Sequence, residues 1–259
     1  MKSVLITGGS GLIGSRLTPM LQMFGYEVTH LSRAKKPNSK VPTFHWDTQH
    51  GYIDTKAFDH LDYVIHLAGT SVATQRWTSK RKAEIVSSRV ATAGMLYDAL
   101  KRTSSKIKTF IAASAIGIYG RDHGNALLTE ESKRGNDFLS QVVKQWEAAT
   151  TRMNTLGINV VQLRIGVVLS SQGGALPKIA APIRKGLGAP FGHGEQWMSW
   201  IHIDDLCRMF IKAIEDSTMQ GYIMLLHLIQ LLIKTLQKPL LKYFINLIFF
   251  LLFHRLYLN

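Results

Sequence analysis

Apolar residues in this chain fall into short runs separated by longer stretches of helical spacing. Residues 2–7 (KSVLIT) form a run closed by glycines, the pattern of a strand buried on both faces. Over 12–24, Leu12, Ile13, Leu17, Leu21 and Phe24 recur at helical spacing, and Gly25 follows where a helix would stop. Strands are expected at 27–31, 43–46, 63–67 (YVIHL), 109–114 (TFIAAS) and 158–163 (INVVQL), and helices at 78–101 and 138–156. Strands alternating with helices imply parallel pairing through right-handed crossovers, so the expected fold class is α/β, a doubly wound parallel sheet. Residues 170–194 are rich in glycine and proline and read as loops on the substrate side.

The pattern breaks at residue 222. From there to 259 the chain has no Asp, Glu, Ala, Val or Gly, while Leu and Ile dominate. Three readings compete. A membrane anchor is one, although Lys234, Lys238, Lys242 and Arg255 cut the apolar runs short of the ~20 residues a span needs. A basic amphipathic helix at a membrane surface is another, because the three lysines recur every fourth residue. The third is translation out of frame. Codons chosen for Tyr222-Ile-Met-Leu-Leu-His-Leu-Ile and read from their third base give Tyr-Asn-Ala-Val-Ala-Pro-Asn, which suits an ordinary C-terminal lobe. Residues 1–221 are therefore taken as one nucleotide-binding domain whose substrate-side loops occupy about 165–221, with a small, incomplete C-terminal lobe.

Composition adds modest constraints. With 46% hydrophobic and 19% charged residues the chain reads as soluble and globular. A single cysteine, Cys207, excludes an intrachain disulfide and fits a cytoplasmic location. The net charge of +14 has one local cluster, Arg76, Lys80, Arg81 and Lys82, with only Trp77 interleaved. No nucleic-acid partner is expected from so sparse an aromatic pattern.

The chemistry begins in the glycine-rich turn after the first strand: Thr7, Gly8, Gly9, Ser10, Gly11, Leu12, Ile13 and Gly14. Gly8 permits a tight turn, Gly11 lets backbone N–H groups approach a pyrophosphate, and Gly14 lets the following helix pack closely. Placed between a strand and a helix, the motif predicts a Rossmann-type dinucleotide site. The end of the second strand selects the nucleotide. An acid there would bind a ribose 2′-OH, but the chain has Ser32 and Arg33, then Lys35 and Lys36. A hydroxyl beside a guanidinium suits a phosphomonoester, which favours NADP over NAD.

Together, TGGSGLIG at 7–14, VIHLAG at 64–69, RWTSKRKAEIVSSRV at 76–90, SAIGIYG at 114–120, LRIGVVLSSQGGALPK at 163–178 and QWMSWIHIDDL at 196–206 resemble the extended or atypical short-chain dehydrogenases/reductases. Within them the chain is most similar to the epimerase family proteins of the NAD-dependent epimerase/dehydratase superfamily, relatives of sugar-nucleotide epimerases. The resemblance implies a small-molecule substrate, with Leu67, Ala68 and Gly69 beside the cofactor and Ser114 and Tyr119 as candidate catalytic hydroxyls. It implies substrate-side roles for Arg76, Gly174, Lys178, Gln196, Trp200 and His202. The family's Tyr-x-x-x-Lys pair is missing: with Glu147 in register, Leu139 and Val143 stand in its place, and Lys144 is one position off. Tyr97-x-x-x-Lys101 precedes Ser114 and is out of order. His202 with Asp204 and Asp205 reads as a packed ring and capping acids, so no metal is assigned. Two functional classes remain, an NADP-dependent enzyme and a non-catalytic NADP-binding protein.

Overall fold

The structure, a computed structural model, describes residues 1–34, 39–121, 123–185, 195–226 and 231–232. Lys35, Lys36 and most of the apolar tail lie outside these residues. Contacts divide the chain into a first unit, Met1–Arg121, Leu128–Ile165 and Ile203–Leu225, and a second built around Gly166–His202.

In chain order the first unit begins with β1 (Ser3–Thr7), α1 (Leu12–Met23), β2 (Glu27–Ser32), β3 (Thr43–Asp47), β4 (Tyr52–Ile53) and β5 (Tyr63–His66). It continues through α2 (Ser79–Thr103), β6 (Thr109–Ala115), α3 (Phe138–Thr151) and β7 (Asn159–Ile165). The second unit carries β8 (Val167–Ser170), β9 (Gly173–Gly174), α4 (Ala175–Arg184), β10 (Trp197–Met198) and β11 (Trp200–His202). The chain then returns to the first unit as α5 (Ile203–Glu215) and β12 (Gly221–Leu225), and β13 (Leu231–Leu232) pairs with β10.

The first unit is one eight-stranded sheet of order β12-β7-β6-β5-β1-β2-β3-β4, parallel except where β3 meets β4. This is the doubly wound Rossmann-type architecture expected from the alternation of runs. Its middle strands are buried along almost their whole length because helices cover both faces. Leu5, Val64, Phe110 and Val160 pack with Leu96, Ala99 and Leu100 of α2. Successive side chains alternate faces, so Val4, Ile6 and Ile111 serve the other side. There α1 packs on α5 and α5 on β6, burying Leu17, Leu21, Leu206 and Phe210 completely. Each such side chain contributes roughly 1.5–3 kcal/mol of burial. A salt bridge at 2.6 Å from Arg16 Nε to Asp204 Oδ1 joins the two helices.

The structure adds α5 and the short strands β4 and β8–β11 to the expected elements, and it departs further from the sequence pattern as follows. The helix expected over 138–156 stops at Thr151, and a tighter turn of Arg152–Leu156 runs on to Gly157 at φ +75°. Residues 175–184, expected as loop, form α4: Leu176, Ile179, Ala180 and Ile183 share a face, and Ala180 and Ile183 are buried. Pro177 stands in the first turn, where no intrahelical N–H bond is due, while Pro182 lies inside the helix, two residues before its last residue Arg184. Residues 221–225 extend the sheet as β12, in parallel register with β7 from Gly221↔Val161 to Leu225↔Ile165. Glu130 Oε1 accepts the Met224 N–H at 2.8 Å, and the Tyr222 ring packs against the Arg164 guanidinium at 4.3 Å.

Candidate functional site

From β1 the chain winds outward to β2 and β3, then returns to place β5 on the other flank of β1. The switch point is thus the carboxyl edge between β1 and β5, where open α/β sheets bind ligands. A groove of about 590 Å³ lies along this edge, lined by Gly8, Ser10, Gly11, Leu31, Ser32, Arg33, Ala34, Trp46, Thr48, Leu67, Ala68, Gly69, Thr70, Ser88 and Thr92. That size falls within the ~300–1,000 Å³ usual for ligand pockets.

The glycine turn shapes the floor. Gly8 has φ +74°, and a side chain there would meet the Leu67 and Ala68 backbone at 2.9–3.0 Å. Gly14 is closer still: a Cβ would lie 2.6 Å from the Gly8 carbonyl oxygen and from Gly9 Cα. Its role is therefore to bring α1 against the turn itself rather than against the sheet. The Gly11 N–H donates to Gly8 O at 2.9 Å, and the first intrahelical bond is Ser15 N to Gly11 O. This leaves the Leu12, Ile13 and Gly14 N–H groups without intrahelical partners, and Gly11 supplies no side-chain cap. No acid stands in the first turn of α1. These donors and the positive helix end suit a diphosphate. Thr7 and Gly9 are buried beneath the turn rather than on the groove wall.

Polar side chains that sequence periodicity had hidden support this floor. Thr7 Oγ1 lies 2.7 Å from His66 Nδ1 and accepts the Ala68 N–H at 3.2 Å. Thr92 Oγ1 gives its own proton to the Ser88 carbonyl at 2.8 Å and so faces His66 Nε2, at 3.4 Å, as an acceptor; Nε2 therefore carries the ring proton and Nδ1 accepts from the Thr7 hydroxyl. Burial, with the nearby Arg89 charge adding to it, pushes the His66 pKa down to about 3. His30 Nε2 sits 2.9 Å from Thr18 Oγ1, and its ring would lie 2.5–2.6 Å from a Cβ on Gly9. His66 and Ser88 fall inside the blocks that carry the family resemblance but receive no role from it, and His30 and Thr92 fall outside them; His66 and Thr92 are buried, His30 and Ser88 half-buried.

At the β2 end Ser32 Oγ accepts the Ala34 N–H at 3.3 Å, and exposed Arg33 borders the groove. Ser114 and Tyr119 are not among the groove-lining residues. Both are buried in one polar cluster. Ser114 Oγ donates to Glu147 Oε1 at 2.7 Å, and Arg164 grips the same carboxylate through Nε at 2.8 Å and Nη2 at 3.0 Å. Arg164 Nη1 donates to Tyr119 Oη at 2.9 Å and to the Glu130 carbonyl at 2.7 Å. Burial disfavours the Arg164 charge, but Glu147 and Tyr119 more than offset it and hold its pKa above the ordinary value. Burial also raises the Tyr119 pKa, against the opposing pull of Arg164.

The register argument for α3 agrees with its packing: Leu139 Cβ and Val143 Cγ2 would lie 3.8 and 3.9 Å from a Cβ on Gly117, just past β6. Tyr97 faces elsewhere, its hydroxyl 3.1 Å from Thr155 Oγ1 with Arg152 stacked on its ring at 4.3 Å. Arg76 is exposed in the first unit. Gly174, Lys178, Gln196, Trp200 and His202 all fall in the second. Gly174 opens α4 at φ +77°, and Trp200 and His202 lie on β11. Asp205 pairs with Arg208 at 2.6 Å. No helix among the described residues is long and apolar enough to cross a membrane.

The sheet order, the glycine turn and the groove at the switch point define a dinucleotide-binding α/β protein. Residues 4–224 match the NAD dependent epimerase/dehydratase family, and the chain belongs to it. An epimerase family protein of Staphylococcus saprophyticus is 37% identical over 223 residues, 85% of this chain and 74% of that protein. The crystal structure of a nucleoside-diphosphate sugar epimerase from Corynebacterium glutamicum superposes with a TM-score of 0.80 at 36% identity, over 92% of this chain but 49% of that one. A human epimerase family protein, solved with NADPH, gives 0.76 at 32% identity over 86% of this chain and 74% of its own.

Proposed function

We propose that the groove binds NADP(H) in preference to NAD(H), and that the chain is an epimerase/dehydratase-type oxidoreductase acting on a small polar substrate, a nucleotide sugar foremost. The observation that carries this reading is the β2 end: Ser32 and Arg33 border the groove there, with no acid to meet a ribose 2′-OH. Bound, the nicotinamide would supply or accept a hydride. The N–H groups at the head of α1 would hold the diphosphate, Ser32 and Arg33 the 2′-phosphate, and Leu67, Ala68 and Gly69 the adjoining wall. Ser114 and Tyr119 would act as positioned neutral hydroxyls. Arg76, Gly174, Lys178, Gln196, Trp200 and His202 would face the substrate. NADPH and NADH titrations test the cofactor assignment. Arg33→Asp should weaken NADPH about 10–100-fold, the worth of a charge-assisted phosphate contact, without weakening NADH. Equal loss of both would sink the assignment.

One observation favours a second reading, a non-catalytic NADP-binding protein. The α3 face beside Gly117 carries Leu139 and Val143, so no phenol with a neighbouring ammonium is held there. NADPH oxidation over a panel of carbonyl compounds and nucleotide sugars separates the two: tight binding without turnover selects the second. The out-of-frame origin of the tail is decided by the gene, where a single-base change near Gly221 should open an ordinary C-terminal lobe.

A further inference from the structure

Arg89 projects from α2 toward the strand-end residue Gly69: a side chain on Gly69 would come within 3.2 Å of Arg89 Cζ. Its guanidinium stacks on the Trp146 ring at 5.0 Å, and Nη1 donates to the Ile85 carbonyl at 3.0 Å and to Ser88 Oγ at 3.4 Å. These contacts fix the plane of the cation and leave its charge unmatched. No carboxylate among the described residues pairs with it, since Glu84 pairs with Arg81 and Glu147 with Arg164. Trp146 Nε1 beneath it is also buried without an acceptor. Burial, then the Arg81 charge, lowers the Arg89 pKa to about 10, which leaves it protonated at neutral pH. A half-buried cation without a counter-charge is costly to fold. Arg89 is not itself a groove-lining residue, but it lies directly behind three that are: Gly69, its sequence neighbour Ser88, and Thr70, whose N–H donates to Ser88 Oγ at 3.1 Å.

We infer that Arg89 is an anion receptor that takes a diphosphate oxygen, of the dinucleotide or of a sugar nucleotide, at the β5 flank of the groove, across β1 from Arg33. The inference rests on the dinucleotide reading of that groove. Stacking on Trp146 prepays the ordering of the side chain, so the bound anion gains a charge-assisted contact at little entropic cost.

Calorimetry with the full chain tests this, using NADPH alone and UDP-glucose at saturating NADPH, on Arg89→Met and Arg89→Lys. The methionine retains the apolar stem on Trp146, and the lysine retains the charge. A ten- to hundredfold weakening of NADPH in Arg89→Met, smaller in Arg89→Lys, places the diphosphate in the dinucleotide. The same loss confined to UDP-glucose places it in the substrate, and either result supports the receptor. Should Arg89→Met unfold early in a thermal melt, Arg89→Lys decides, with a severalfold loss expected. Parent-like affinity for both ligands in folded variants overturns the receptor and leaves the groove reading standing. Failure of the parent to bind NADPH at millimolar levels overturns the groove reading instead. Inorganic pyrophosphate then judges Arg89: binding abolished by Arg89→Met upholds the receptor, and binding that is absent or unaltered ends it.

Discussion

Replacing Gly14 with alanine probes how closely α1 is seated on the glycine turn. The added methyl would stand 2.6 Å from Gly8 O, 2.6 Å from Gly9 Cα and 2.9 Å from Gly9 C. Carbon atoms prefer about 3.5–4.0 Å, so the helix and the turn must separate by about 1 Å. All three obstructing atoms are backbone, and no side chain can swing aside to relieve them. Overpacking of this kind costs about 1–3 kcal/mol, and the helix propensity gained over glycine returns at most about 1 kcal/mol. The expected net loss is about 1–2 kcal/mol in urea unfolding. NADPH affinity should fall at least about tenfold, because the same displacement moves the N–H groups of Leu12 and Ile13. Gly94, in the interior of α2 with nothing within 4 Å of its Cβ position, is the control. Gly94→Ala should stabilise the fold by about 0.5–1 kcal/mol and leave NADPH binding alone. If Gly14→Ala matched the parent in both stability and affinity, the account of a helix pressed on its phosphate turn would be refuted. A cost for Gly94→Ala equal to that of Gly14→Ala would refute it as well.

Two further outcomes follow from buried polar groups. The His66 pKa is about 3 in the fold against 6.5 for the free side chain, so between those values the unfolded chain binds the extra proton. Its contribution is therefore present above pH 6.5 and lost as pH falls through that window, at up to about 1.4 kcal/mol per unit. His66→Gln should flatten the acid limb of the stability profile, and parallel parent and variant profiles from pH 6.5 to 4 would rule the burial argument out. Glu147→Gln turns an amide toward the Arg164 guanidinium and leaves that cation buried without its counter-charge, a loss of about 3–5 kcal/mol in denaturant unfolding. Pairing Glu147→Leu with Arg164→Met should recover most of the loss; a single variant within 1 kcal/mol of the parent would show that the pair contributes little.

Much of this protein was legible in the chain because it depends on near neighbours. The runs KSVLIT, YVIHL and TFIAAS announce strands covered on both faces. The turn from Gly8 to Gly14 and the Ser32–Arg33 pair sit within a few residues of the strands that position them, so their place at one sheet edge follows once the strands are parallel. What only the tertiary structure decided concerns partners far apart in sequence. Ser114 donates to a carboxylate 33 residues away, and Arg164 reaches Tyr119 across 45. The resemblance singles out Ser114 and Tyr119 as hydroxyls and Glu147 as a register mark, but nothing in the sequence joins these residues to one another or to Arg164. Thr7, His66 and Thr92 become one chain of hydrogen bonds because β5 returns beside β1 and α2 folds across both. Local spacing specifies backbone conformation and which face is apolar. Which buried polar groups satisfy one another depends on strand order and crossover, and these exist only once the sheet has assembled.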